Sequence, residues 1–211
     1  MGIAARISER SVEDARTRAE REVRALLDAA FAVLGRVGID GLTVAEVLSE
    51  AGLSTRAFYR HFPSKDDLVL ALFASESERA ATRHKSALAD LADPERALDA
   101  WIDGVLALAY EPRRAQRTRV LRAEGARLRR DHPAEFATIV AEELVPLEAI
   151  LRAGVENGSF DVDFTVDPAM IHAIVWSLAE ARLDGGPIDR ATAGAAARRW
   201  VSASIAKGLL P

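Results

Sequence analysis

A glycine and a proline divide residues 41–68 into short helical segments. Gly52 can adopt the left-handed backbone conformation that ends a helix at little cost. Pro63 cannot continue a helix, and it disfavours helical geometry at the residue before it. The order helix, tight turn, short helix predicts a helix-turn-helix, the unit that lays its second helix in the DNA major groove.

Hydroxyl side chains stand where these helices begin. Thr43 can cap the first helix, and Glu46 three residues later completes a capping box. Ser54 is a good cap for the second helix. Ser64, three residues before Asp67, forms another capping box and starts a third helix.

The second helix has an apolar face and an open face. Phe58 and Phe62 are four residues apart, so they share one face and can anchor the helix inward. The other face presents Thr55, Arg56, Tyr59, Arg60 and His61. Arg56 lies near the helix N-terminus, the part that reaches base edges, whereas Arg60 could serve either a base or a phosphate.

Residues 51–54, Ala-Gly-Leu-Ser, followed by residues 58–65, Phe-Tyr-Arg-His-Phe-Pro-Ser-Lys, resemble the DNA-binding domain of TetR-family transcriptional regulators. The resemblance implies that Tyr59, His61 and Lys65 grip the DNA backbone. Thr43 can reach a phosphate from the start of its own helix. Many members have a small residue near the position of Arg56, so the base preference stays open.

Composition excludes several classes of protein. The 211 residues include no cysteine, which excludes disulfides, thiolate metal sites and thiol catalysis. No apolar run is long enough for a membrane span, and no apolar signal segment opens the chain. We therefore expect a cytoplasmic protein without a membrane partner.

The charge distribution favours a confined DNA-binding surface. Residues 1–66 carry ten basic and ten acidic side chains, so the whole net charge of -4 lies in residues 67–211. Residues 54–65 contain Arg56, Arg60 and Lys65 and no acid. This pattern predicts modest non-specific affinity and a requirement for a dimer.

The hydrophobic periodicity predicts an all-α fold of about nine helices. A flexible arm is expected over residues 1–17, a three-helix DNA-binding domain over 18–65, and a helical regulatory and dimerisation domain over 66–211. A support helix ending at Gly38 precedes the helix-turn-helix. The last helix is expected to run from Asp189 to Lys207, stopped by Gly208.

The last two helices, about residues 167–207, form an intersubunit four-helix bundle in the proteins that this chain resembles. Self-complementary apolar surface is what such pairing needs. The last helix offers small residues for close approach and then larger apolar ones. They are Ala193, Gly194, Ala195, Ala196, Ala197, Trp200, Val201 and Ile205. The alternative is that these residues belong to the core of one chain.

Large aromatic residues in the remaining helices are candidates for a ligand cavity, which the resemblance also implies. They are Phe73, Trp101, Tyr110, Phe136 and Trp176. The alternative for each is plain core packing. His132, Glu135 and His172 do not make a metal site, because the first two stand at a helix start where capping is the better interpretation. The arginines of residues 113–130 are interspersed with acids, which favours a salt-bridged surface over an anion site.

Three classes of function follow. The first is a dimeric DNA-binding regulator, a repressor released from double-stranded operator DNA by a small molecule that the sequence does not identify. The second is a DNA-binding regulator controlled by a protein partner or by nothing. The third, an all-helical enzyme, fails for lack of motifs: the chain has no glycine-rich phosphate loop and no nucleophile elbow. No cofactor is expected.

Overall fold

The structure, a computed structural model, describes residues 3–38, 41–88 and 93–206. Within these ranges the chain forms nine α-helices and one isolated antiparallel bridge, between Phe160 and Ala206. The helices are α1 (Ile3–Val37), α2 (Val44–Ala51), α3 (Thr55–His61), α4 (Lys65–Leu88), α5 (Pro94–Tyr110), α6 (Pro112–Asp131), α7 (Pro133–Glu156), α8 (Asp167–Leu183) and α9 (Arg190–Ser204). The predicted all-α fold is confirmed. None of the described helices combines the length and the apolar character that crossing a lipid bilayer requires.

Helix ends coincide with the stop and start signals of the sequence. Gly38 follows α1 with a φ of 70°. Pro94 and Pro133 occupy the first turns of α5 and α7, where a proline loses no intrahelical hydrogen bond. At the other end of the chain, α9 stops at Ser204. The predicted stop at Lys207 and Gly208 lies outside the described residues.

The first helix corrects one expectation. It begins at Ile3, so residues 3–17 are helical rather than a flexible arm. The physical reason lies in their composition, because no glycine or proline occurs between residues 3 and 34. Arg16 also pairs with Glu13 and Glu20 across helical spacings, at 2.9 and 3.7 Å.

The chain divides into two compact units, an N-terminal unit (Met1–Phe73) and a C-terminal unit (Ala74–Pro211). The boundary falls inside α4, later than the boundary predicted after residue 65. The first turns of α4 explain the shift, since Leu68, Val69 and Leu72 are fully buried within the N-terminal unit.

The N-terminal unit packs α2 and α3 against α1. Leu26, Ala30 and Val33 line the inner face of α1, and Val47 and Phe58 come from α2 and α3; all five are fully buried. The apolar face of this support helix is therefore the face that packs against the helix-turn-helix.

The C-terminal unit is built around α5, which packs against α6, α7, α8 and α9. Trp101, Ile102 and Leu106 are almost completely buried at its centre. Arg198 of α9 donates to α5 as well, with 3.1 Å to a carboxylate oxygen of Asp99 and 2.7 Å to one of Asp103.

The small residues of α9 mostly serve this intrachain packing. Ala193, Gly194 and Ala197 are buried, and Val201 and Ile205 join the same core. The prediction that they form a surface for a second chain is wrong for these five residues. Trp200 differs, because 63% of it is exposed.

Candidate DNA-binding surface and regulatory core

The turn between α2 and α3 is built on Gly52. Its backbone has φ 65° and ψ 32°, and its N–H donates to the carbonyl of Leu48. The N–H of Leu53 donates to the same carbonyl at 3.1 Å. This is the left-handed helix ending that the sequence predicted, and it sets the direction in which α3 leaves the turn.

Side-chain caps begin each helix of the motif. The Thr43 hydroxyl accepts from the Glu46 N–H at 3.2 Å and donates to the Glu46 carboxylate, also at 3.2 Å. Ser54 accepts from the N–H of Ala57 at 3.3 Å. The predicted caps are confirmed. In a full capping box the Glu46 carboxylate would accept from the backbone N–H of Thr43, whereas here it accepts from the Thr43 hydroxyl.

The inner face of α3 is apolar and buried. Ala57 and Phe58 are covered, and the Phe58 ring lies 5.8 Å from the ring of Phe62 just after the helix. Tyr59 packs its ring edge-to-face against Phe58 at 5.2 Å while 56% of the residue stays exposed.

The outer face of α3 presents side chains with hydrogen-bonding groups. Thr55, Arg56, Tyr59 and Arg60 are all exposed. Together they offer two guanidinium groups and two hydroxyls on one side of a short helix, a set that suits base edges and phosphates.

His61 does not belong to that outer face. Only 10% of its side chain is exposed, and its Nε2 lies 2.7 Å from Glu22 Oε2. A carboxylate oxygen only accepts, so this ring nitrogen carries the proton. His61 follows Phe58 by three residues and Ala57 by four, so helical geometry turns it toward α1. The prediction of an outward His61 was wrong for this reason.

Glu22 of α1 contacts this surface, and the sequence analysis did not single it out. Its Oε2 accepts from Arg60 Nη2 as well as from His61. The hydrogen bonds from His61 and Arg60 lower the pKa of Glu22 below its ordinary value of 4.5. Helical periodicity gave no signal for it, because its partners lie 38 and 39 residues along the chain.

Lys65 reaches back to the start of α2. Its Nζ donates to the Leu42 carbonyl at 3.3 Å, and Leu42 directly precedes Thr43. The tertiary structure thus brings the lysine ammonium to the chain segment that carries the capping threonine. A positive charge and a hydroxyl at one helix N-terminus form an arrangement that favours an anion.

Comparison with known sequences bears on this domain. The profile of the tetR family of bacterial regulatory proteins matches residues 26–72. The HTH-type transcriptional regulator CymR of Pseudomonas putida is 35% identical over 91 residues, which cover 42% of this chain and 45% of CymR. Residues 26–72, which include α2 and α3, are thus similar to the TetR family. The match spans less than half the length of that curated relative.

Solved structures extend the likeness to nearly the full length of the chain. The fatty acid degradation regulator FadR of Bacillus halodurans aligns with a TM-score of 0.68 at 20% identity, over 90% of this chain and 96% of that one. FadR of Bacillus subtilis, solved in complex with stearoyl-CoA, gives 0.66 at 18% over 86% and 98%. A putative TetR-family regulator of Mesorhizobium loti gives 0.71 at 18% over 90% and 98%. At these identities the likeness shows the fold.

Of the five aromatic residues predicted for a ligand cavity, Trp101 belongs to the apolar core of the C-terminal unit, and Tyr110 and Trp176 pack against that core. Trp101 and Phe136 are buried, and Phe136 lies under the guanidinium of Arg129 at 5.2 Å. The Tyr110 hydroxyl donates to the Ile188 carbonyl at 2.8 Å. Phe73 is the last residue of the N-terminal unit.

Trp101 and Trp176 do share a neighbour, His172 of α8. The His172 ring stacks on Trp176 at 6.3 Å with an interplanar angle of 9°, and its centroid is 6.3 Å from that of Trp101. Its Nε2 lies 3.7 Å from a carboxylate oxygen of Glu143 on α7. The other Glu143 oxygen accepts from the buried Ser77 hydroxyl of α4 at 2.5 Å.

This chain of polar groups, Ser77–Glu143–His172, lies on three different helices of the C-terminal unit. Burial lowers the pKa of His172 below its ordinary value of 6.5, and the nearby Glu143 carboxylate opposes that shift. Burial therefore favours the neutral form of the imidazole. Sequence reasoning considered His172 for a metal, yet no group of three or more potential ligands gathers among the described side chains. His132 stands before α7 without a capping hydrogen bond from its side chain.

The arginines of α6 form a salt-bridged surface, as predicted. Arg114 pairs with Glu111 at 2.8 Å and Arg127 with Glu124 at 2.6 Å. Arg122 pairs with Asp184, which follows α8, and its hydrogen bond lowers the pKa of that carboxyl. Of these three pairs, the one between Arg122 and Asp184 joins α6 to another element, whereas the other two lie along α6 itself. Exposed ion pairs of this kind contribute little to stability.

We predict that His172 makes the stability of the protein depend on pH. Its folded-state pKa is lowered, so the unfolded chain takes up a proton first as the pH falls below 6.5. Wild type should therefore lose unfolding free energy relative to His172→Asn as the pH falls from roughly 7 to 5. Urea unfolding followed by circular dichroism measures the difference. The loss should persist in Glu143→Gln, because burial is its main cause; parallel curves for wild type and His172→Asn would contradict it.

Proposed function

We propose that this protein is a dimeric DNA-binding transcriptional regulator, a repressor that a small molecule releases from its operator. The observation that carries the proposal is the outer face of α3. Phe58 fixes the helix from within, and Thr55, Arg56 and Tyr59 stand exposed on the other side. The match of residues 26–72 to the tetR family profile supports α3 as the helix that enters the major groove.

The side chains divide into two roles on DNA. Thr43, Tyr59 and Lys65 serve the phosphate backbone, since they combine hydroxyl groups and one ammonium around the ends of α2 and α3. Arg56, at the second position of α3, serves a base edge, because a guanidinium can bond both acceptors of guanine. Thr55 beside it reaches the same groove.

The contacts of Arg60 and His61 with Glu22 suggest a separate role for each of these two residues. His61 supports α3 from the side of α1, so we assign it the positioning of the helix and not a direct phosphate contact. Arg60 is 54% exposed in its side chain and can turn from Glu22 to DNA.

We predict that Arg56→Ala and Lys65→Ala weaken DNA binding in different ways. Arg56→Ala should relax the preference at one operator position per half-site, at a cost of roughly 1–3 kcal/mol. Lys65→Ala should weaken binding to all duplexes about equally and flatten the salt dependence. Selection from random DNA, followed by affinity measurements at several salt concentrations, tests both. A binding profile that Arg56→Ala leaves unchanged, or that Lys65→Ala alters, would exclude these roles.

Dimer formation is the second part of the proposal. Along α8 an exposed stripe without charge recurs at helical spacing, and it continues from the residue before the helix. It comprises Val166, Met170, Ala173, Ser177 and Ala181. Trp200 adds a large exposed ring on α9. This stripe supports pairing through the last two helices, with the contact surface supplied mainly by α8 and by Trp200.

We predict that Met170→Asp with Trp200→Asp converts the dimer to a monomer, because a carboxylate on each helix would be desolvated in the interface. Sedimentation velocity measures the molecular mass, and operator affinity should fall together with it. Val145→Asp is the matched control, since Val145 is 60% exposed on α7 and lies outside the stripe. If the double variant sediments like wild type, the interface lies elsewhere.

Ligand control is the third part. The helix α4 begins after only three residues that follow α3, and it continues to Leu88. Within the C-terminal unit the Ser77 hydroxyl of α4 binds the Glu143 carboxylate, beside His172 and Trp176. A ligand that competes for these polar groups would act on the same helix that leads to α3. The stearoyl-CoA bound by the FadR of Bacillus subtilis makes long-chain acyl-CoA a reasonable first probe.

We predict reciprocal coupling between effector and operator. A ligand that favours the DNA-free state must bind more weakly when operator is saturating, by the same factor as it weakens DNA binding. An ordinary coupling is roughly 1–3 kcal/mol. The fluorescence of Trp101 and Trp176 measures ligand binding. The same measurement on Glu143→Gln is compared with wild type. If genuine ligands bind equally with and without operator, regulation by a protein partner becomes the better hypothesis.

A further inference from the structure

One carboxylate of α1 holds two side chains at the end of the recognition helix. Arg60 Nη2 and His61 Nε2 donate to the same oxygen, Glu22 Oε2, the latter at 2.7 Å. This three-residue cluster lies wholly within the N-terminal unit. The proposed function uses Arg60 and His61, but it assigns no role to the acid between them.

The two partners of Glu22 differ in burial. The side chains of Glu22 and His61 are only 16% and 10% exposed, whereas that of Arg60 is 54% exposed. The histidine contact is therefore the inner, structural one. The arginine contact lies at the surface, where an ion pair can exchange its partner at little cost.

The exchange that matters is between Glu22 and a phosphate. Arg60 is one of three cations in residues 54–65, and pairing with Glu22 offsets its charge. If Arg60 turns to a DNA phosphate, the Glu22 carboxylate loses that partner and lies near a second anion. The binding free energy gained from the contact between Arg60 and the phosphate is therefore reduced by the loss of the contact between Arg60 and Glu22.

We propose that Glu22 limits the affinity of this protein for DNA, because its carboxylate competes with DNA phosphates for Arg60 and so weakens binding to duplex of any sequence. This inference rests on the proposed DNA-binding function. Non-specific binding consists of phosphate contacts, whereas operator binding adds base contacts from other residues of α3. Both complexes contain the phosphate contacts, so competition for one phosphate-binding arginine lowers both affinities by about the same factor.

The first test compares Glu22→Gln with wild type on random duplex DNA. Glutamine keeps an oxygen that can accept from His61, so the α1–α3 contact is retained while the charge is lost. Affinity for random duplex should rise several-fold, and the slope of log affinity against log salt should steepen by about 0.9 per subunit. The affinity for operator, taken from selection on wild type, should rise by about the same factor, because a phosphate contact carries no sequence information.

Glu20→Gln is the matched control. It removes the same charge from the same helix, but Glu20 is 62% exposed and pairs with Arg16 at 3.7 Å. A general loss of negative charge would act in both variants, whereas competition for Arg60 acts only in Glu22→Gln. If both variants bind random duplex alike, the inference is overturned.

Arg60→Ala supplies an independent test. In the wild-type background it should change the salt slope on random duplex little, because Arg60 is held by Glu22. In the Glu22→Gln background it should remove the added slope of about 0.9. An effect of Glu22→Gln that survives without Arg60 would overturn the inference. A wild-type protein that binds no duplex at all would instead defeat the proposed function.

Discussion

The burial of Phe58 decides which side chains this protein offers to DNA. The helix α3 has only seven residues, too few to be stable in isolation, so its shape depends on what anchors it. With Phe58 fully buried and Phe62 packed beside it, helical geometry leaves Thr55, Arg56 and Tyr59 outside. The caps and the left-handed Gly52 place the helix, but the aromatic anchor sets its rotation about its own axis.

The same rotation brings polar side chains against α1. Because His61 follows Phe58 by three residues, anchoring the phenylalanine turns the imidazole inward to Glu22. Arg60 lies at the edge between the two faces and meets the same carboxylate while staying half-exposed. One packing contact thus separates the residues free to read DNA from those that hold the helix.

The C-terminal unit combines an apolar core with one chain of polar side chains. Its core is an apolar cluster around α5, and the likeness to solved structures at 18–20% identity shows that this packing persists when most side chains differ. The polar Ser77–Glu143–His172 chain departs from that apolar pattern, since buried polar groups are kept only with partners. The ligand of one protein consequently cannot be inferred from another protein of the same fold, because ligand recognition depends on such individual polar groups.

What the sequence by itself determined was local: helix boundaries at Gly38, Gly52 and Pro133, the caps, and the two faces of α3 except for His61, because these depend on neighbours within a few residues. The prediction of a flexible arm over residues 3–17 was wrong, because helix-forming residues continue α1 to Ile3. The prediction for the small residues of α9 was wrong because they are buried in the core around α5. Only the tertiary structure decided the partners of Glu22, the contact of Lys65 with Leu42 and the placement of Ser77 beside Glu143. Those contacts join residues 23 to 66 positions apart, and side-chain periodicity along one helix carries no information about such distances.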